Sequence, residues 1–221
     1  MKYALSFITL FFFFSQIGFP KTQSDIDHID STSVSRASDS VAPGEPELTD
    51  DLWIGLWLAY SPYSTPLIAR MRNAQLGLVG VNVRYASLNL GKRKLRISSE
   101  LILLGWADYP KNGVSGPRTN RLAAGILPLR LTVPLTKDTG DNYFFVDMGA
   151  GVVFFDQPYP NDEGTLLNAT VDLGIGYNFR LTETTKLRLG YRFHHISNGG
   201  GGVINPGIDS GLIVLSIHSR S

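Results

Sequence analysis

Residues 168–180, NATVDLGIGYNFR, alternate without a break. Ala169, Val171, Leu173, Ile175, Tyr177 and Phe179 share one parity, and Asn168, Thr170, Asp172, Gly174, Gly176, Asn178 and Arg180 share the other. Successive side chains of a strand point to opposite faces, so this reads as a strand with one apolar face and one polar or small face. The pattern recurs along the chain and predicts strands near 52–60, 75–88, 94–107, 121–134, 143–155, 168–181, 185–197 and 209–219. Val81, Val83 and Tyr85 oppose Asn82 and Arg84; Leu127, Leu129, Leu131 and Val133 oppose Arg130 and Thr132. Phe144, Val146, Met148 and Val152 oppose Asp147, Gly149 and Gly151. The first segment is apolar on both parities.

Such alternation fits a soluble sandwich with its apolar face inward, or a membrane barrel with that face outward. The polar face mixes arginine, aspartate, asparagine and glycine, which suits a narrow lumen where charges pair. The expected connections also alternate in length. Residues 89–93, 135–142 and 182–184 are short, whereas 61–74, 108–120, 156–167 and 198–208 are long. Short turns on one rim and long loops on the other are the outer-membrane arrangement. A strand of about ten residues, tilted some 40°, spans roughly 25 Å, the height of the apolar band. The fold expected is all-β, an eight-stranded antiparallel up-and-down transmembrane barrel over residues 52–221, with a disordered N-terminal tail. Pro128 and Pro134 interrupt one strand, since proline removes a ladder donor.

The N-terminus supports export. Lys2 precedes an apolar stretch from Tyr3 to Phe14, the make-up of a secretory signal over residues 1–20, with cleavage between Gly18 and Thr22. The alternative is an uncleaved anchor. Residues 21–51 hold eight acidic residues, and in 22–51 the one base is Arg36, so an acidic periplasmic tail without enough apolar content to order is expected. An even strand count returns both barrel ends to the side of that tail. Residues 52–221 carry 17 basic and 11 acidic side chains, a mild preference for anionic surfaces. The whole chain has a net charge of +1, which gives no case for nucleic acid. It has no cysteine, which excludes disulfides, thiolate metal sites and a cysteine nucleophile.

One stretch concentrates chemistry: residues 193–209, FHHISNGGGGVINPGID. Parity through the seventh segment puts Leu187, Leu189, Tyr191 and Phe193 in phase with His195 and Ser197, while Arg188, Gly190, Arg192 and His194 take the luminal phase. In the eighth, Asp209 is in phase with Gly211, Ile213, Leu215 and Ile217. A serine, a histidine and a carboxylate are thereby expected on the lipid-facing wall, a costly placement without a task. Acyl transfer is such a task. Serine needs an imidazole base, and the base needs a carboxylate to fix its tautomer. Asn198 and the backbone N–H groups of Gly199 and Gly200 are candidate donors to an oxyanion. The ordinary reading of SNGGGG is a flexible tip, and of NPG a reverse turn.

FHHISNGGGGVINPGID resembles the lipid A 3-O-deacylases of the PagL family, over about these 17 residues. That family carries a His-x-Ser-Asn element, then an Asn-rich turn and an acidic residue. The resemblance implies an eight-stranded outer-membrane barrel whose active site lies on its outside near the outer leaflet. It implies His195 as base, Ser197 as nucleophile and Asn198 as oxyanion donor, with Asn205 in the supporting turn. Asp209 falls where a family member has glutamate. Lipid A, or lipopolysaccharide, would be the substrate and outer-membrane lipids the neighbours; no cofactor is implied, and a homodimer is open.

Other candidates have ordinary readings. His194 is expected in the lumen, bonded to Asp147, Asp172 or water, and Arg188 and Arg192 in luminal ion pairs. His194, His195 and His218 form no recognisable metal-ligand spacing. Trp53, Trp57, Trp106, Tyr60 and Tyr109 are girdle or packing residues. Arg70, Arg72, Lys111 and Arg118 suit lipid phosphates or plain solvation. The rival functions are a noncatalytic barrel with a structural or partner-binding role and a soluble barrel that holds a lipid inside.

Overall fold

The computed structural model describes residues 52–220 apart from 91–92, 112, 136–141, 160–161 and 203–204. The expected signal (1–20) and acidic tail (21–51) lie outside the described residues. Eight strands follow in chain order: β1 (Trp53–Ser61), β2 (Gln75–Leu90), β3 (Arg93–Pro110), β4 (Arg118–Pro134), β5 (Tyr143–Tyr159), β6 (Thr165–Arg180), β7 (Thr185–Ser197) and β8 (Ile208–Arg220). Each pairs antiparallel with the next, and β1 pairs with β8, closing the barrel. Closure leaves no sheet edge, so every ladder N–H and C=O can be satisfied within the wall.

The barrel is inverted relative to a soluble one. Leu56, Leu173 and Ile213 stand more than 60% exposed on the outside. Charges fill the interior. The Arg130 guanidinium is wholly buried and meets Glu100 at 2.9 Å, Asp147 at 3.2 Å and Asp172. Arg192 pairs with Glu100 at 3.1 Å, and Arg188 with Asp147 at 3.6 Å. Three carboxylates and three guanidiniums thus pair inside the barrel, where a buried charge left unpaired would cost several kcal/mol. Aliphatic side chains outside and ion pairs inside require hydrocarbon as the surrounding solvent. The soluble barrel is ruled out on that ground. β1, apolar on both parities, resolves into Trp53, Gly55, Trp57 and Ala59 inside and Ile54, Leu56, Leu58 and Tyr60 outside. Of the girdle candidates, Trp53, Trp57 and Tyr109 are therefore internal, and Tyr60 faces out.

Two expectations need correction. Leu127 does not share a face with Leu129: it is 1% exposed and internal. Ile126 pairs with Val152 and Leu129 with Ala150, so Leu127 and Pro128 together oppose Gly151. This two-against-one bulge shifts the phase and accommodates the missing proline N–H. The freed Pro128 carbonyl accepts a hydrogen bond from Ser99 Oγ at 2.7 Å. Pro134 ends β4.

The second correction concerns the rim. β3, β4, β5 and β6 run about three residues further than the alternation indicates, shrinking two of the expected long loops to 111–117 and 160–164. An internal aromatic stack carries the extension: Tyr159 lies 4.5 Å from Phe155, stacked, and 5.2 Å from Tyr109, edge-on. The long connections that remain are 62–74 and 198–207, and both belong to the site.

Candidate active site

β7 and β8 pair in a register that sets Tyr191 opposite Ile213, Phe193 opposite Gly211 and His195 opposite Asp209. Tyr191 and Ile213 are half or more exposed on the outer wall, so the same parity carries His195, Ser197 and Asp209 to the outside. The adjacent His194 turns inward, where its ring bonds Asp172 and lies 3.3 Å from the Thr170 hydroxyl. His218 is also internal, 2.9 Å from Ser216 Oγ. The three histidines thus occupy separate surroundings. Among the described residues no group of three or more His, Asp or Glu side chains is placed to hold a metal ion.

His195 and Asp209 form a tight pair. The imidazole Nδ1–H donates to Asp209 Oδ1 at 2.6 Å. The other carboxylate oxygen, Oδ2, accepts three consecutive backbone N–H groups, from Leu67 at 2.7 Å, Ile68 at 2.5 Å and Ala69 at 2.8 Å. These belong to the β1–β2 loop, which folds over the outer wall and leaves Asp209 fully buried and His195 only 6% exposed. Engagement through Nδ1 fixes the tautomer and turns Nε2 into the acceptor, the arrangement a general base requires. Asp209 is one methylene shorter than glutamate, and the direct register pairing makes that reach sufficient.

Gly207, which the alternation does not single out, is needed here. Its φ is +61°, and a Cβ on it would sit 3.3 Å from His195 Cε1 and 3.2 Å from Ala69 Cβ. The sequence signal was the NPG turn. The loop contacts themselves, about 140 residues away along the chain, left no local trace.

Ser197 ends β7 two residues beyond His195 on the same face, opposite Ala169 of β6. It is partly exposed, and its hydroxyl makes no hydrogen bond among the described residues. Ser197 and His195 therefore share a face without a hydrogen bond between them. Beyond Ser197 the chain turns on Gly199 and Gly200, at φ +62° and +86°. Gly200 N–H donates to Asn198 Oδ1 at 2.9 Å, and Gly201 N–H to the Asn198 carbonyl at 3.0 Å. Asn198 N–H donates in turn to Asn205 Oδ1 at 3.1 Å, so Asn205 ties the two sides of the loop together. Gly199 N–H has no partner among the described residues. Of the long-loop cations, Arg70, Arg72 and Lys111 are exposed, and Arg118 pairs with Asp108 at 3.0 Å.

Fold and site together define a class: an outer-membrane barrel with a histidine–carboxylate pair and a free serine on its lipid-facing wall. The sequence profile of the lipid A 3-O-deacylase (PagL) family matches residues 80–218, and the chain belongs to that family. The family is one of ester hydrolases acting in the bacterial outer membrane, which places this barrel there. Among solved structures, the outer-membrane enzyme PagL superposes with a TM-score of 0.55 at 17% identity, covering 73% of this chain and 97% of that one. OprG from Pseudomonas aeruginosa gives 0.43 at 12% identity, over 79% and 97%. Neisserial surface protein A gives 0.42 at 12%, over 77% and 97%. No curated protein sequence matches the chain.

Proposed function

We propose that this barrel is a serine esterase that removes the 3-O-linked acyl chain of lipid A through Ser197, His195 and Asp209. The observation that carries the reading is the His195–Asp209 pair, held at 2.6 Å on the wall that faces lipid. Family membership adds the substrate class. Substrate docks sideways from the outer leaflet, with its chain along the wall near Tyr191 and Ile213. Ser197 Oγ attacks the ester carbonyl while His195 Nε2 takes its proton, a small rotamer change closing the gap between them. Asn198 Nδ2 and Gly199 N–H donate to the oxyanion, and Gly200 joins them if it releases Asn198 Oδ1. As the tetrahedral intermediate collapses, imidazolium returns the proton to the departing sugar oxygen. Water, deprotonated by the same imidazole, then attacks the acyl-serine and frees the fatty acid. One chain supplies every group, so a homodimer is not required.

In the same reading, residues 1–20 direct secretion and are removed, and residues 21–51 remain as an acidic periplasmic extension. Mass spectrometry of lipid A from cells with and without the protein is the test. Loss of one hydroxyacyl mass from the 3-position supports the proposal; unaltered lipid A refutes it.

A second reading, a noncatalytic surface barrel, takes support from one observation: the Ser197 hydroxyl is not bonded to His195. A serine-directed phosphonate separates the two, since a catalytic Ser197 is labelled and an inert one is not.

A further inference from the structure

We propose that the β1–β2 loop is a working part of the site. In this proposal it is a clamp whose Leu67, Ile68 and Ala69 amides position Asp209 for His195, while its Leu67 and Ile68 side chains seat among the acyl chains of the leaflet. The inference rests on the esterase reading above. Three N–H groups on one carboxylate oxygen saturate it and fix the plane of the group. Only Oδ1 then remains for the imidazole, so the orientation of His195 is inherited from the loop.

The loop is itself anchored on both sides of the rim. Ser64 bridges to Ser210, Thr65 N–H donates to the Asp209 carbonyl at 2.9 Å, and Arg70 N–H to the Pro206 carbonyl at 2.6 Å. Met71 then dips into the barrel mouth, 1% exposed, where its sulfur accepts from the Tyr159 hydroxyl at 3.5 Å. Residues 67–69 must run along the outer wall, because the carboxylate they hold points outward. There Leu67 is 73% exposed and Ile68 63%, beside Asp209, which shares the outward parity of β8 with Ile213. A wall already solvated by hydrocarbon supplies the occupant: the acyl chains of the surrounding lipid. The same two residues thus meet lipid with their side chains and the carboxylate that positions His195 with their amides.

The barrel refolded in detergent micelles provides the test, with two readings: the Nδ1–H resonance of His195, and turnover of a soluble short-chain nitrophenyl ester. Met71→Ala withdraws the internal anchor without touching Ser197, His195 or Asp209. It should lose the resonance to exchange and lower kcat roughly 10- to 100-fold, with little change in KM, and Met71→Leu should restore both. Ala69→Pro, which deletes one donor, should act in the same direction and serves if Met71→Ala does not fold. An intact resonance and parental kcat in both variants overturn the clamp. The double variant Leu67→Ser, Ile68→Ser should raise KM for a long-chain ester carried in phosphatidylethanolamine–phosphatidylglycerol vesicles far more than KM for the soluble ester. Equal changes overturn the lipid seat. A parent that turns over neither ester, while Met71→Ala still loses the resonance, refutes the esterase reading and leaves the clamp standing.

Discussion

His195 and Asp209 are register partners on β7 and β8, and the imidazole Nδ1–H meets the carboxylate at 2.6 Å on the outer wall. Cross-strand partners on one face have Cβ atoms about 5 Å apart, so an aspartate spans the gap without a longer arm. This pairing lets an aspartate reach the imidazole directly, and it leads to the first prediction.

Asp209→Glu should be less active than the parent. Oδ2 is already within 2.5–2.8 Å of three amides, so an added methylene must push the loop away or turn the carboxyl from His195. A fall in kcat of about tenfold or more is expected, and Asp209→Asn should fall further, towards 10⁴-fold, through the wrong tautomer. Steady-state kinetics on the purified barrel check both. Parental rates in Asp209→Glu would show that the loop contacts do not constrain the acid.

Ser197→Ala should abolish fatty-acid release, by at least about 10³-fold, while the barrel folds normally. Ser197 ends β7 and its hydroxyl carries no hydrogen bond among the described residues, so the strand keeps its ladder. Folding is read from the mobility of unheated protein on a gel, and activity from released acid. Retained activity would move the nucleophile elsewhere.

Gly151→Ala should weaken the barrel without altering the site. A Cβ there would stand 2.1 Å from the Ile126 carbonyl oxygen and 2.6 Å from Leu127 Cα, both backbone atoms of the β4 bulge. Overpacking of this kind costs about 1–3 kcal/mol. A lowered urea midpoint for unfolding from lipid vesicles, with kcat unchanged at a permissive concentration, is the expected result.

Arg130→Met should be severe. It leaves Glu100, Asp147 and Asp172 without their common partner, a loss of about 3–5 kcal/mol for a broken buried network. Acid should reduce the difference from the parent, because carboxylates that take up protons no longer repel or need pairing. Unfolding midpoints compared at neutral and acid pH measure this. A gap that widens on acidification would contradict the pairing of Arg130 with the three carboxylates.

The eight strands were legible because a period of two survives any tertiary arrangement: β6 and β7 read directly as Leu173, Ile175, Leu189 and Tyr191 outward and Asp172 and Arg192 inward. The inversion was legible too, from arginines and aspartates sharing the face opposite the aliphatic one. Leu127 was misread because a bulge changes phase without changing composition, and Pro128 marked the place without naming the remedy. The ends of β3 to β6 ran past the sequence estimate because Tyr109, Phe155 and Tyr159 meet one another only once the barrel closes.

Parity along β7 and β8 put His195, Ser197 and Asp209 on the outer wall, since alternation is a local property of each strand. Their meeting is another matter. Register across the hairpin set Asp209 against His195, and a loop some 140 residues away closed over the carboxylate. Sequence therefore decided which face carries these side chains, whereas hairpin register brought Asp209 to His195 and the distant β1–β2 loop fixed the carboxylate. Local backbone geometry determines the first, while the second depends on strand pairing and on contacts between segments far apart in the chain.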